Sequence, residues 1–270
     1  MTTTAAAEEI LGQETAEFYR RAVQGLAKAG VPFLVGGAYA LAHYTGIVRH
    51  TKDFDFFVRP EDAERTLAAL AAHQGCRMEM TFPHWLGKAY CGDEFCDVIF
   101  SSGNGVCRVD DTWFEHAPPG EILGERVLLI PAEEMIWSKG YVVERERYDG
   151  ADVNHLLRAR GDRLDWVRLL DRYGAHWRVL LSHLILFGFV YPSDRDKVPR
   201  WVMQALLLRV QEEQEEPPPE EKLCNGTLLS RVQYEKDTQE WGYKDGRRTP
   251  EKFMSKRDIR HWTEAAKTSE

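Results

Sequence analysis

Two aspartates one residue apart, Asp53 and Asp55 in DFDFFV, could hold a hard divalent cation, and a glycine pair at Gly36-Gly37 could hold phosphate. The alternation of Asp53-Phe54-Asp55-Phe56-Phe57-Val58 predicts a half-buried strand, with both carboxylates on one face and Phe54, Phe56 and Val58 on the other. At a rise of about 3.3 Å per residue, the two aspartate Cα atoms should lie about 6.5–7 Å apart. Magnesium takes one or two protein carboxylates and completes its shell with phosphate oxygens and water. A nucleoside triphosphate would supply those phosphates.

The elements around the aspartates fit this chemistry. Val31 to Val35 reads as a short apolar strand, and Gly36-Gly37 ends it where a side chain would block close approach of a phosphate. A helix is expected to start there, since Ala38, Leu41 and Ala42 recur at near-helical spacing. Its first amides would form an anion site. The aspartates follow sixteen residues after Gly37. A bare D-x-D arises often by chance; the order strand, Gly-Gly, helix, D-x-D strand is more specific.

The segment GGAYALAHYTGIVRHTKDFDFFV resembles the polymerase-β-type nucleotidyltransferase superfamily, whose motif is a glycine pair, a helix and Asp-x-Asp. With Gly46, Arg49, Thr51 and Lys52 ahead of the acidic pair, it is similar to the bacterial small nucleotidyltransferases, a group that includes antibiotic-modifying, abortive-infection and toxin–antitoxin relatives. The motif spans about 25 residues. The resemblance implies transfer of a nucleoside monophosphate from a triphosphate to an acceptor hydroxyl with Mg2+ or Mn2+. It implies nucleotide contacts from Gly36, Gly37, Thr51 and Lys52, and a third acidic residue on a later strand. Asp97 in FCDVIF is the natural match, because it is the one charge in an apolar run and needs a partner if buried. An arginine or backbone amides could satisfy it, and Asp93, Glu94 or Glu79 could serve instead.

PAEEMIWSKGYVVERERYDGAD, from Pro131 to Asp152, resembles a helix of the abortive-infection relatives in which a lysine precedes an arginine and an acidic pair. The resemblance implies a phosphate contact for Lys139, and gives Arg147, Asp149 and Asp152 as further candidates. The bland alternatives are a snorkelling lysine, a helix cap at Asp149 and a surface pair of Asp152 with His155.

The chain has 270 residues, 43% of them hydrophobic and 11% aromatic, enough for a sizeable core in two packed units. The expected class is α+β: a mixed-sheet nucleotidyltransferase domain over residues 1–130, with no G-x-G-x-x-G fingerprint, then an all-helical domain over 131–210. Within the first domain the pattern predicts helices over Ala5 to Lys28 and Pro60 to His73. Strands are expected near Arg77 to Thr81, Lys88 to Cys91, Phe95 to Phe100 and Arg126 to Ile130. The helical domain reads as Pro131 to Arg147, Gly150 to Arg160, Leu164 to Tyr173, Ala175 to Tyr191 and Pro199 to Glu213. QEEQEEPPPEE marks an acidic, proline-broken linker over 211–222, and residues 223–270 should dock in part, with about the last ten frayed. Trp137, Trp166, Trp177 and Trp201 fall where core or interface anchors are expected.

The formal net charge of −8 argues against nucleic acid as the main partner and for a small-molecule or protein acceptor. Eight arginines between Glu144 and Arg178 are interleaved with seven acidic residues, which reads as a salt-bridged helical surface. No apolar run is long enough to span a membrane, and MTTTAAAEEI has no signal-peptide pattern, so a cytoplasmic protein is expected. Five cysteines without C-x-x-C spacing suggest reduced thiols, and Cys91, Cys96, Cys107 and His116 are too irregular for a recognisable zinc site. A nucleotide-binding regulator or toxin–antitoxin component acting through a protein partner is the alternative to an enzyme.

Overall fold

The computed structural model describes residues 12–248 and 254–267 and divides into two compact units between Pro131 and Ala132. The start of the expected first helix, Ala5 to Leu11, lies outside the described residues.

The first unit is built on a five-stranded mixed sheet of order β1-β2-β5-β4-β3, formed by β1 (Leu34–Val35), β2 (Phe54–Phe57), β3 (Arg77–Phe82), β4 (Leu86–Cys91) and β5 (Glu94–Ile99). β2 and β5 run parallel, and the remaining pairings are antiparallel. α1 (Gln13–Lys28) and α3 (Ala63–Gln74) pack on each other and on the sheet. Phe54, Phe56 and Val58 are fully buried, as are Cys96 and Val98, the β5 partners of Phe54 and Phe56. Tyr19 of α1 and Tyr39 of α2 (Gly37–Thr45) lie against the Phe54 ring, 5.0 and 4.7 Å between centroids. The alternation read from the sequence therefore sends Phe54 and Phe56 into the core, and Asp53 and Asp55 to the other face.

Sequence and structure differ at several boundaries. The expected Val31–Val35 strand shortens to two residues, because its partner β2 offers register only from Phe56 to Phe57. The Arg126–Ile130 strand is one arm of a hairpin, β6 (Pro119–Ile122) with β7 (Glu125–Leu128), turned by Leu123 and Gly124, both with positive φ. Leu123 in that conformation disguises the turn. A short helix, α4 (Asp111–Glu115), is capped by the Asp110 carboxylate, which accepts from the Thr112 amide.

The cysteine reading needs correction. Cys76 and Cys91 form a disulfide. Arg77 pairs with Tyr90 in the antiparallel β3–β4 ladder, so the next residues out face each other at a Cα–Cα distance of 4.6 Å. Cys96, Cys107 and Cys224 form no disulfide and are buried. Because disulfides persist mainly in oxidising compartments, this bond weighs against the cytoplasmic expectation. No helix among the described residues is long and apolar enough to cross a membrane.

The second unit is mainly helical, with α5 (Ala132–Gly140), α6 (Gly150–Arg160), α7 (Trp166–Tyr173), α8 (Trp177–Val190) and α9 (Arg200–Glu215). α5 stops far short of the expected Arg147. Gly140 packs so closely on Tyr173 that an added Cβ would lie 2.1 Å from its hydroxyl, and the chain beyond turns back, bridging Val143 to Tyr148. α9 runs through Glu215, so the proline-broken linker begins later than expected, at the prolines that end the helix. After it come a two-stranded parallel pair, β8 (Leu223–Cys224) with β9 (Lys244–Asp245), α10 (Glu235–Gln239) and α11 (Lys256–Lys267). The Val143 amide donates to Leu229 O at 3.1 Å, and Arg231 pairs with Glu144, tying this segment to the turn after α5. Residues 261–267 are helical rather than frayed; 268–270 lie outside the described residues. Trp137, Trp166 and Trp177 are buried, whereas Trp201 is exposed.

Candidate active site

Strand register builds the cluster. β2 and β5 pair in parallel with Asp55 opposite Asp97, and Asp53 lies just before β2 on the Asp55 face. One carboxylate oxygen from each of Asp53, Asp55 and Asp97 falls within 4.8 Å of the other two, the one such group of possible metal ligands among the described residues. An all-oxygen donor set of this size suits a hard cation such as Mg2+ or Mn2+. Asp53 is further oriented by the Thr51 hydroxyl, which donates to its carboxylate.

The glycine pair is bound up with the acidic pair. Gly37 opens α2 with φ of +56°, and a Cβ there would lie 1.7 Å from Asp55 Oδ2. Only a glycine leaves room for that carboxylate. A Cβ on Gly36 would lie 2.2 Å from the Phe57 ring, while the Gly36 amide donates to Asp55 O at 3.0 Å. The N-terminal end of a nine-residue helix thus abuts the acidic cluster.

Asp97 is 8% exposed. Burial pushes its pKa up; Lys88, by charge and hydrogen bond, pulls it down; Asp53 pushes it up again, and the net direction is upward. The partner expected for this buried carboxylate is therefore a lysine rather than an arginine or backbone amides. Lys88 escaped the sequence reading, although the tight β4–β5 turn at Gly92-Asp93 fixes the register that sets Lys88 opposite Asp97.

The other candidates are placed elsewhere. Glu94 accepts from the Thr15 hydroxyl at 2.6 Å, Glu79 pairs with Arg77 at 2.8 Å, and Asp93 sits exposed in the β4–β5 turn. Cys91 is committed to its disulfide, which removes it from any cysteine–histidine metal set. Lys52 is exposed in the loop before β2. Lys139, in the second unit, is ion-paired with Asp149 at 2.9 Å and Asp152 at 2.8 Å, and Arg147 pairs with Asp149 at 3.0 Å. Burial pushes the Asp149 pKa up, but Arg147 and Lys139 outweigh it and hold the carboxyl below its ordinary value. The arginine-rich stretch is only partly a surface: Arg168 and Arg172 reach inward to Glu133 and Glu134, both buried.

No protein-family model matches the chain, and no curated protein matches it either. Among solved structures, the antibiotic-resistance factor ANT(2'')-Ia in solution is 18% identical, with 75% of this chain and 96% of that chain covered and a TM-score of 0.39. The crystal structure of JHP933 from Helicobacter pylori is 13% identical over 76% of this chain and 97% of that one, at a TM-score of 0.39. An antigenic nucleotidyltransferase-like protein from Paracoccidioides brasiliensis is 13% identical over 70% and 95%, at 0.42. Likenesses this slight carry no argument about activity, so the functional reading rests on the site itself.

Proposed function

We propose that the chain is a metal-dependent nucleotidyltransferase that moves a nucleoside monophosphate from a triphosphate to an acceptor hydroxyl. The observation that carries this reading is the convergence of Asp53, Asp55 and Asp97 beside the glycine-opened start of α2. Divalent cations bound there would neutralise the triphosphate and the charge that builds up in transfer. Asp53 and Asp55 would hold them, with Asp97 as the third ligand. The α2 amides from Gly37 onward, with Thr51 and Lys52, would orient the outer phosphates. Asp97, within the same cluster, would take the proton from the acceptor hydroxyl as that oxygen attacks the α-phosphorus and pyrophosphate leaves. The resemblance assigns a phosphate contact to Lys139 as well; the reading here rests on the first unit. Net charge of −8 favours a small-molecule or protein acceptor over RNA. The catalytic domain in this reading ends at Pro131.

Incubation with each α-labelled nucleoside triphosphate, Mg2+ and a soluble extract tests the proposal. Label is expected on one acceptor class, with pyrophosphate released; absence of both transfer and metal-dependent nucleotide binding overturns it.

The glycine geometry yields a second expectation. Gly37→Ala sets a methyl group against Asp55 Oδ2 and places an L-residue at positive φ, at a cost of about 1–2 kcal/mol in backbone strain. Displacing Asp55 by about 1 Å should lower transfer about a hundredfold. A labelled-transfer assay paired with urea unfolding measures both effects. Wild-type transfer by Gly37→Ala would mean that the Asp55 position does not matter.

A further inference from the structure

The β4–β5 hairpin brings a fourth ionic group to the cluster. Lys88 is the register partner of Asp97, with Nζ 2.6 Å from Asp97 Oδ1 and 4.3 Å from the centroid of the Phe95 ring. Its side chain is 19% exposed and that of Asp97 12%. The ammonium is held from two sides, by a carboxylate and by an aromatic face, in surroundings that screen charge poorly. A lysine that merely snorkels would keep its charged end in water.

We infer that Lys88 is a positioning residue that makes cation binding at the acidic cluster depend on nucleotide. The inference rests on the metal–nucleotide reading above. An ammonium hydrogen-bonded to Asp97 engages a carboxylate oxygen and repels a second cation approaching the same group. The cluster therefore binds a bare divalent ion weakly. A triphosphate brings enough negative charge to outweigh Lys88, so cation and nucleotide bind together. Asp97 stays in place throughout because Lys88 holds it.

The test is Mn2+ binding, followed by the electron paramagnetic resonance signal of the free ion, with and without an α,β-methylene triphosphate that cannot be transferred. Without nucleotide, Lys88→Met should bind Mn2+ about tenfold more tightly than wild type, because removing a neighbouring positive charge favours the ion. Lys88→Arg, which keeps the charge, should stay near wild type. With nucleotide, the gap between Lys88→Met and wild type should shrink to about threefold or less. Should Lys88→Met fail to fold with Asp97 left unpaired, Lys88→Met/Asp97→Asn compared with Asp97→Asn alone reads the same charge, and the double variant is expected to bind more tightly. Equal or weaker Mn2+ binding when the charge is removed overturns the role of Lys88 alone. Absence of Mn2+ binding by every protein, even with nucleotide, overturns the metal reading with it.

Discussion

Asp55→Asn and Asp53→Asn are each expected to abolish nucleotide transfer while leaving the fold intact. Both carboxylates are half-buried, and the strand is anchored from the opposite face by the fully buried Phe54 and Phe56. Asparagine keeps the shape and removes the charge. Transfer of this kind depends on positioning and charge neutralisation, so losing one metal carboxylate should cost at least about a thousandfold in rate, or roughly 4 kcal/mol of transition-state stabilisation. Stability should not fall. Three carboxylates with oxygens within 4.8 Å repel one another, and Asp53 adds to the upward push on Asp97, so removing one charge relieves the folded state. Labelled transfer and thermal unfolding on the same purified variants check both halves. Retained turnover in either variant would sink the assignment of these residues; lost turnover with a collapsed melting temperature would make the loss structural.

What the sequence made legible here is the local pattern. Alternation over Asp53 to Val58 is a property of the strand itself, so the face of each aspartate could be read without knowing its neighbours. Asp97 was legible for a similar reason, as one charge in an apolar strand. The pairing of Asp55 with Asp97 across two parallel strands, by contrast, depends on a long crossover whose register no local signal fixes. The reason for Gly37 was legible only in part. Its spacing suggested a phosphate cradle, whereas the structure shows a carboxylate of the next strand filling the space where a Cβ would be. Lys88 went unread because an alternating lysine on a hairpin is common, and only the ladder shows that it faces Asp97. Cys76 and Cys91 carry no spacing signature either; the β3–β4 register brings them together.

The largest stability effect is expected in the second unit, at Glu134. This carboxylate has no exposed surface. It accepts from Arg168 Nη1 at 2.7 Å and from Arg172 Nε at 3.1 Å, while Glu133 next to it accepts from the Asp165 amide at 2.7 Å and pairs with Arg168 Nη2 at 2.8 Å. Two arginines of α7 are thereby fastened to the first turn of α5, and Arg172 also lies 5.1 Å from the Trp137 ring centroid. Glu134→Ala takes the Glu134 carboxylate from both guanidinium groups, leaving Arg168 with Glu133 and the more distant Asp165, 3.8 Å away. Breaking a buried ionic network by removing one partner costs about 3–5 kcal/mol, because the remaining charges lose their compensation and keep their desolvation penalty. Urea unfolding followed by tryptophan fluorescence reads this directly, since Trp137, Trp166 and Trp177 are buried in the same unit. A control separates charge from packing. Replacing Glu133, Glu134, Arg168 and Arg172 together by leucine removes the buried charges on both helices and should recover much of the lost stability, as apolar replacement of buried ion pairs often does. If Glu134→Ala unfolds at the wild-type urea concentration, the arginines have found water instead, and the network contributes nothing to holding α5 against α7.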